Sequence, residues 1–540
     1  MNKRYLLRGA LAGGVISMGL IGLFSLGNLL IGLPFVPFDV FDWLARILPG
    51  PVITTAIDLM VRVIDGLRLG PTASTAKLAE QGIAIFQFIL LGLVCGLVVA
   101  AVAARWPQRT LTASLILASL AALVALLAEV QLGYSFAQEP ATAVWIVLLL
   151  LTWGWLIAVW ALLDAVPRAV GGAVAGGISR REFLLWVGGG SLALALAAFW
   201  LSRPRNPRAL PVTAGPAGGN LSPTAVAETS GPAASPPYNT LAKRFQPAPG
   251  TRAEVTPNGQ FYRIDINADI PTADAQTWRF KVDGLVDHPL ELSIEDLRRF
   301  PSRAQMITLE CISNQVGGDL ISTALWKGVP LKTVLAEAGL KPEAKYINIT
   351  SFDGFYEHLG LDEAMDERTL LVYDMNGSPL AAEHGFPLRI YIPNHYGMKQ
   401  PKWIEHLEIS DKTTLGYWVI RGWSATAVVQ TTSVIDSVAI NQRDEQQQTV
   451  PVGGIAFAGA RGISRVEVQM DDGPWMEAGL RNPPLSKLTW VQWRYDAPYQ
   501  KGHHVFKVRA TDGEGKLQDS ADHLTLPDGA TGIFSFEADF

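Results

Sequence analysis

The sequence predicts a multi-domain chain in which an N-terminal transmembrane α-helical bundle precedes a mixed α+β domain and a C-terminal β-sandwich. Three observations support this prediction. Long apolar stretches fill the first two hundred residues, short strands alternate with helical stretches in the middle, and alternating strands with turn signals fill the last fifth. The 540 residues are 49% hydrophobic and have a mean hydropathy of +0.22, and together these values are too apolar for an ordinary soluble chain.

Five stretches are apolar and long enough to cross a membrane, which takes roughly 20 helical residues. They lie at about 6–33, 82–104, 111–132, 142–163 and 183–201. Over residues 34–81, charged residues mix with apolar ones at helical spacing, which predicts an amphipathic helix on the outer membrane face, with a re-entrant span as the alternative. The predicted membrane bundle covers residues 1–201.

Basic residues cluster at alternate ends of the spans and predict their orientation. The clusters are formed by Lys3, Arg4, Arg8, Arg105, Arg109, Arg168, Arg180 and Arg181. With five crossings these clusters lie in the cytoplasm, so the chain after residue 201 lies outside it. We therefore expect a multi-pass protein of the cell (plasma) membrane whose C-terminal domains are extracytoplasmic.

The segment SRREFL at 179–184 resembles a twin-arginine export signal placed before the last span. Positive-inside anchoring is the alternative explanation of its two arginines, and both give the same topology. After the last span, residues 202–237 are rich in proline, alanine and glycine without an apolar period, which predicts an extended linker.

Two domains are predicted after the linker. Residues 238–426 contain short strand-like runs and two helical stretches, one of them capped by Ser293. Residues 427–540 contain roughly six to eight short strands separated by turn signals, which favours an immunoglobulin-like sandwich.

Cys311 ends a strand-like run and precedes a Gly-Gly turn in TLECISNQVGGDLISTALWKGVP, residues 308–330. The chain has one other cysteine, Cys95, which lies inside an apolar stretch, so an internal disulfide is not expected. A lone thiolate at the end of a strand suits a metal ion, and a small buried hydrophobe is the alternative.

This segment closely resembles the cofactor segment of the sulfite oxidase superfamily, molybdopterin oxidoreductases in which one protein cysteine ligates molybdenum. A second block, YDMNGSPLAAEHGFPLRIYIPNHYGMKQPKWIEHLEI at 373–409, resembles the stretch that holds the pterin and its phosphate. The resemblance implies a sulfite oxidase-like molybdopterin domain, an enzyme, and a cofactor of molybdenum and molybdopterin. It extends from about residue 260 to the C-terminus, where the last domain resembles the one that sulfite oxidases use for dimerisation.

The resemblance also implies roles for individual side chains. Cys311 is the implied metal ligand and, with Trp423, a catalytic residue. The implied cofactor contacts are Tyr262, Arg263, Cys311, Asn314, Ser351, His384, Arg389, Lys399, Gln400 and Lys402. The cations among them are the donors that an anionic pterin phosphate needs, with solvated surface charge as the alternative.

Three departures from the sulfite-oxidising pattern concern the substrate. The triplet NQV stands at 314–316 where that pattern has Asn-Arg-Arg, DIN stands at 265–267 where it has Arg-Asn-His, and Trp423 replaces a tyrosine. A pocket without those arginines should hold sulfite poorly, so a neutral small molecule, such as a sulfoxide or an amine oxide, fits as well. No CxxCH haem motif is present, and a separate electron carrier is therefore expected.

The predicted function is a membrane-anchored molybdopterin-dependent oxidoreductase that transfers an oxygen atom at the outer face of the membrane. The alternative from another class is a membrane-tethered, non-catalytic binding module with a degenerate cofactor site. A transporter is disfavoured because the spans lack charged or broken helices. The net charge of −5 and the pI near 6.0 argue against nucleic acid as a partner, and homodimerisation stays open.

Overall fold

The computed structural model describes residues 3–67, 69–132, 140–165, 245–444, 446 and 448–540. These residues form two compact units, one drawn from Met1–Trp43 and Gln81–Pro237 and the other from Leu44–Glu80 and Tyr238–Phe540. The predicted fifth span, the twin-arginine motif and the linker lie outside the described residues. The predicted domain bounds stay predictions, but residues 44–80 pack with the C-terminal half instead of the apolar helices.

The N-terminal helices include four that are long and apolar enough to cross a membrane, namely α1, α4, α5 with its preceding turn, and α6. The helices are α1 (Lys3–Ile31), α2 (Val36–Ile47), α3 (Gly50–Leu67), α4 (Thr72–Arg105), α5 (Thr110–Gln131) and α6 (Pro140–Ala165). The first unit is thus compatible with membrane insertion. Helix α4 begins well before the predicted span because hydropathy marks only its apolar part, whereas polar residues such as Lys77 and Glu80 continue the same helix.

Helices α1 and α4 pack through glycines. A β-carbon on Gly13 would lie 2.1 Å from the carbonyl oxygen of Gly92, and one on Gly96 would lie 2.2 Å from that of Gly9. On each helix the two glycines are four residues apart, which is the small-xxx-small spacing that lets helix backbones approach closely.

From residue 245 on, where the structure describes it, the domain after the linker contains ten strands and three short α-helices. The strands are β1 (Phe280–Gly284), β2 (Leu290–Leu292), β3 (Arg303–Glu310), β4 (Ile321–Pro330), β5 (Tyr346–Ser351), β6 (Tyr356–Gly360), β7 (Leu370–Met375), β8 (Ser378–Pro379), β9 (Arg389–Tyr391) and β10 (Ile404–Ser410). The helices are α7 (Ile294–Arg299), α8 (Leu331–Ala338) and α9 (Leu361–Ala364). The short strand-like runs predicted for this domain are confirmed as strands, and its two predicted helical stretches form α7 and α8.

The strands form two five-stranded sheets. The first has the order β2-β1-β10-β5-β6, and the second has the order β3-β4-β7-β8 with β9 also paired to β7. Only the β1 to β10 pair in these two sheets is parallel. Helices α7 and α8 cover the first sheet, and the core between them includes Phe280, Val282, Leu297, Val334, Ile347 and Leu407.

The predicted helix cap at Ser293 is confirmed. The Ser293 hydroxyl accepts a hydrogen bond from the Asp296 amide at 3.1 Å, and the Asp296 carboxylate accepts one from the Ser293 amide at 3.0 Å. This reciprocal pair is a capping box, which satisfies amides that the first turn of α7 leaves free.

The C-terminal region consists of β-strands. They are β11 (Thr432–Val438), β12 (Thr449–Phe457), β13 (Ile463–Met470), β14 (Met476–Glu477), β15 (Gly479–Leu480), β16 (Val491–Pro498), β17 (His503–Asp512) and β18 (Phe534–Asp539). They form sheets of order β11-β12-β16-β15 and β14-β13-β17-β18, and the two sheets share a core that includes Ile435, Val452, Val466, Trp493, Phe506 and Val508. The predicted β-sheet region is present, and its immunoglobulin-like topology stays a prediction.

Candidate active site

Strand β3 places Cys311 at the start of a closed loop. The Cys311 amide donates to the carbonyl of Leu320 at 2.9 Å, so residues 311–320 turn back before β4 begins. The thiol is buried and lies 3.0 Å from the hydroxyl of Ser313. Burial raises the pKa of the Cys311 thiol, so a metal ion that binds here must displace a proton.

Asn314 shapes this loop and does not line the pocket that Cys311 faces. Its side-chain nitrogen donates to the Glu310 carboxyl group at 2.9 Å, and its side-chain oxygen accepts from the Leu320 amide at 2.9 Å. Both polar atoms of Asn314 are therefore used within the loop. The residue lies beside Cys311 as predicted, and its geometry supports a positioning role.

A pocket with about 900 Å³ of empty space opens in front of Cys311, and we call it the Cys311 pocket. Seven of the residues singled out from the sequence line it, namely Tyr262, Cys311, His384, Arg389, Gln400, Lys402 and Trp423. They come from separate chain segments that only the folded domain brings together.

Arg389 is a buried cation in the wall of this pocket. One guanidinium nitrogen donates to the His384 carbonyl at 3.1 Å, and the group lies 4.9 Å from the centre of the Trp326 ring. In the part of the chain that the structure describes, no carboxylate pairs with Arg389. Burial lowers its pKa to about 10, which reflects the cost of an uncompensated buried charge.

Lys402 is the second buried cation of the wall. Its ammonium group lies 3.0 Å from the Asp265 carboxylate and donates to the Glu383 carbonyl at 3.0 Å. Burial lowers the pKa of Lys402 to about 8, although Asp265 opposes this effect. Burial also raises the pKa of Asp265, but Lys402, Lys77 and Arg263 outweigh it and hold that pKa below its usual range.

Three other predicted contacts lie outside the pocket wall. Arg263 pairs with Asp265 at 2.7 Å, and Lys399 pairs with the buried carboxylate of Glu357 at 2.8 Å. Ser351 is buried at the end of β5, and its hydroxyl oxygen lacks a hydrogen-bond partner in the described structure. Arg263 and Lys399 thus already have carboxylate partners, whereas the buried Ser351 hydroxyl does not, and direct cofactor contact by these three residues stays a prediction.

His384 and Gln400 bind the protein backbone although they line the pocket. The ring of His384 lies 2.9 Å from the Asn258 carbonyl, and burial lowers its pKa to about 4, so the ring is neutral at pH 7. The amide of Gln400 accepts from the Ile392 amide at 2.6 Å and donates to the Ile392 carbonyl at 2.7 Å. Both residues hold the loops around the pocket in place.

Sequence reasoning missed several residues of the wall. Asp265, Asp353, Met398 and Trp418 line the Cys311 pocket. In the sequence Asp265 stands out only as part of the DIN triplet at 265–267, yet in the structure it pairs with three cations. The only sequence signal for it is the neighbouring Arg263, because Lys77 and Lys402 are far away in the chain.

The residues present fit a molybdopterin cofactor. A thiol at Cys311 suits molybdenum, and Arg389 is a buried cation without a carboxylate partner among the described residues, which suits an anionic group. Gly397 leaves space in the wall, since a β-carbon there would lie 2.8 Å from the hydroxyl of Tyr262. A thiol and buried cations in one cavity match a ligand with a metal and a phosphate.

The pKa of Lys402 predicts how cofactor affinity depends on pH. If protonated Lys402 holds the phosphate, affinity begins to fall as pH rises through about 8, the pKa in the unloaded protein. The decline continues up to the higher pKa of the loaded protein and reaches about tenfold per pH unit at most. Lys402→Arg should remove this decline because arginine stays charged. Pterin retained after dialysis between pH 7 and 9.5 measures the effect, and identical profiles for the two proteins would contradict it.

Comparison with known proteins shows which family this domain resembles. Residues 267–418 match the family model described as oxidoreductase molybdopterin binding domain. The uncharacterized oxidoreductase YuiH of Bacillus subtilis is 35% identical over 156 residues, which cover 29% of this chain and 77% of that protein. Sulfite oxidase of Gallus gallus is 29% identical, covering 53% of this chain and 70% of that protein, and the mitochondrial enzyme of Rattus norvegicus is 29% identical, covering 46% and 54%.

Among solved structures, the sulfane dehydrogenase SoxCD from Paracoccus pantotrophus matches with a TM-score of 0.49 and 24% identity, covering 59% of this chain and 94% of that chain. The extent of the YuiH match and the family model together establish the relationship. Molybdenum bound to molybdopterin is the cofactor that this relationship implies. The chain belongs to the sulfite oxidase superfamily of molybdopterin oxidoreductases, and it is an enzyme of that type.

Proposed function

We propose that this protein is a membrane-anchored oxidoreductase that transfers an oxygen atom at a molybdenum held by Cys311, on the outer face of the membrane. The observation that carries the proposal is the pairing, in one pocket, of the buried Cys311 thiol with the buried cation Arg389. Bound molybdenum supplies the two-electron oxygen-atom transfer. The chain supplies the thiolate, the cations for the pterin phosphate, and the shape of the pocket.

The substrate that this pocket favours is a neutral oxide. The loop after Cys311 carries no arginine or lysine, and Ile57, Ile312, Met398, Trp418 and Trp423 contribute apolar wall. An apolar wall of this kind does not offset the free-energy cost of dehydrating a dianion such as sulfite, because a buried charge needs an ionic partner. A sulfoxide or amine oxide needs only one or two hydrogen bonds and an apolar surface. Trp423 is the proposed catalytic-site residue that shapes this wall.

The test uses the full chain, matured in a molybdenum-replete cytoplasm and purified in detergent. We expect oxidation of reduced viologen in the presence of dimethyl sulfoxide or trimethylamine N-oxide, with little sulfite-dependent dye reduction. A kcat/KM for sulfite above that for every oxide would overturn the substrate assignment. A folded chain that contains neither molybdenum nor pterin would favour the non-catalytic binding module instead.

The location and partners belong to the same proposal. Basic residues flank the four described apolar helices at the ends expected for a cytoplasmic N-terminus, and the predicted fifth span at 183–201 would then place the C-terminus outside the cytoplasm. An epitope tag placed after Phe540 should therefore be reached by antibody on intact spheroplasts, and a tag reached only after lysis would contradict this orientation. A separate electron carrier, export of the folded domain through the twin-arginine motif, and dimerisation through an immunoglobulin-like C-terminal domain complete the proposal.

A further inference from the structure

Residues 44–80, which we call the cap, pack on the unit that contains the Cys311 pocket. On helix α3 the side chains of Thr54, Val61 and Ile64 are almost inaccessible to solvent, and Ile57 lines the Cys311 pocket. These four positions follow helical spacing and form one face. One face of the cap is thus part of the wall around Cys311.

Backbone packing holds the start of α3 closely against the enzyme domain. A β-carbon on Gly50 would lie 2.5 Å from the α-carbon of Arg421, so only glycine allows this approach. Near the other end of α3, Ile64 and Thr72 border a second cavity together with residues 315–319 of the Cys311 loop. The cap therefore spans from the turn before Trp423 to the loop after Cys311.

Polar contacts fix the cap at both ends. Arg46 donates to the side-chain oxygen of Asn267 at 3.1 Å and to the carbonyl of Asp353 at 2.8 Å. The buried Arg421 donates to the carbonyl of Arg46 at 2.9 Å. The amide of Thr72 donates to the Asp319 carboxylate at 2.9 Å. These groups are mostly buried, and hydrogen bonds to charged partners of this kind contribute more than neutral ones.

Lys77 connects the cap to the charges of the pocket. Its ammonium group lies 3.1 Å from the Asp265 carboxylate and 2.7 Å from that of Glu80, and it donates to the carbonyls of Asp265 and Asn267 at 3.1 and 2.9 Å. Asp265 also pairs with Arg263 and Lys402. Because one carboxylate is shared by three cations, Lys77 weakens the hold of Asp265 on Lys402 and leaves that ammonium group able to bind an anion.

The opposite face of α3 is apolar and exposed. Leu59 and Leu67 are 57% and 66% accessible, and Val52 and Val63 are also exposed. The cap ends within α4, whose 34 residues span about 51 Å, while roughly 20 residues cross the hydrocarbon layer. The first turns of α4, including Lys77, can therefore extend beyond that layer. A lipid surface is the partner that this placement provides for the exposed face of α3.

We infer that the cap lies on the membrane surface and closes the Cys311 pocket, and that Lys77 positions the cations that retain the cofactor. The inference rests on the proposed function, because it takes the pocket to hold the pterin. It adds that a segment between two apolar helices completes the cofactor site. A fragment that begins at residue 238 lacks this wall, and only the full chain retains the cofactor firmly.

The first test compares Lys77→Met with Lys77→Arg in the full chain in detergent. Lys332→Met is the matched control, because Lys332 pairs with Glu367 away from the Cys311 pocket. We expect Lys77→Met to lose pterin on the order of tenfold faster than the wild type, with unchanged absorption per bound molybdenum, while the other two variants retain it. Equal loss rates in folded Lys77→Met and wild-type protein would overturn the inference.

Hydrogen exchange of the wild-type protein tests closure of the pocket even if Lys77→Met does not fold. Wild-type protein from cells that make the cofactor should show slower exchange of the α3 amides than protein from cells that do not. Equal exchange would contradict closure over the cofactor. Wild-type protein without any cofactor would overturn both the inference and the proposed function. If the wild type and the Lys77→Met variant both hold the cofactor stably, the inference alone is overturned.

A second test addresses the lipid surface. In liposomes that contain a photoactivatable phospholipid, we expect labelling of the peptide with Val52, Leu59 and Val63. The control peptides contain Leu524 and Met476, which are also exposed apolar side chains but lie in the C-terminal region. Labelling of the controls at the level of α3, or no labelling of α3, would refute a lipid-facing cap.

Discussion

Replacing Cys311 with serine is expected to abolish turnover while leaving the fold intact. The substitution changes one buried atom, and the backbone bond from residue 311 to Leu320 does not involve the side chain. A hydroxyl is a harder and far less acidic ligand than a thiol, so molybdenum would lose its protein sulfur. We expect turnover to fall by on the order of 100-fold or more, together with loss of the thiolate-to-metal absorption.

The matched control is Cys95→Ser, which removes the other buried thiol from helix α4. This variant should keep both the absorption and the activity. Molybdenum and pterin content, the visible spectrum and turnover with a neutral oxide are measured on the same preparations. A Cys311→Ser protein with wild-type turnover would remove Cys311 from the reaction, and the thiol would then be only a buried packing residue.

Replacing Arg389 with methionine is expected to have opposite effects on the loaded and the cofactor-free protein. Removal of one partner of a buried charge pair costs about 2 to 5 kcal/mol, so pterin affinity should fall by about 30-fold or more. In the cofactor-free chain the guanidinium has no carboxylate partner among the described residues, and its pKa is lowered to about 10. Holding that charge at pH 7 costs on the order of 3 kcal/mol.

The cofactor-free Arg389→Met chain should therefore unfold at a higher temperature than the cofactor-free wild type. Loss of the contact with Trp326 reduces the gain to about 1 to 2 kcal/mol. The free-energy cost of the buried charge is fully present below the folded-state pKa of Arg389 and vanishes above the ordinary pKa of arginine. The whole cost is therefore present at pH 7. Arg461→Met is the control and should lower the unfolding temperature, because Arg461 pairs with the buried Asp512 at 2.9 Å. A lower unfolding temperature for cofactor-free Arg389→Met would show that Arg389 is a structural cation.

Local signals in the sequence were enough for several elements. The capping box at Ser293, the strand that leads into Cys311, and the apolar helices each depend on neighbouring residues or on a short period. The cysteine in a motif with a Gly-Gly turn gave the proposed metal-binding position. These features are local because caps, strand ends and membrane spans are set by the side chains of the segment itself.

The carboxylate partners of the predicted cations were harder to predict from the sequence than the positions of the predicted site residues. Lys399 and Lys402 are three residues apart and both were expected to bind the phosphate, yet Lys399 pairs with Glu357 and lies outside the Cys311 pocket. A single sequence shows the charge of a lysine but not the burial of its nearest carboxylate. The same limit applies to Arg263, which binds Asp265 two residues later.

The sequence by itself determined the apolar helices, the strand-rich domains and the family, and it supplied the proposed metal-binding cysteine, because each depends on composition, periodicity or a contiguous motif. Only the tertiary structure decided that residues 44–80 join the enzyme domain and that Lys77 pairs with Asp265, 188 positions along the chain. Such contacts arise when buried charges find partners of opposite sign during folding, and no local pattern encodes which partner is within reach.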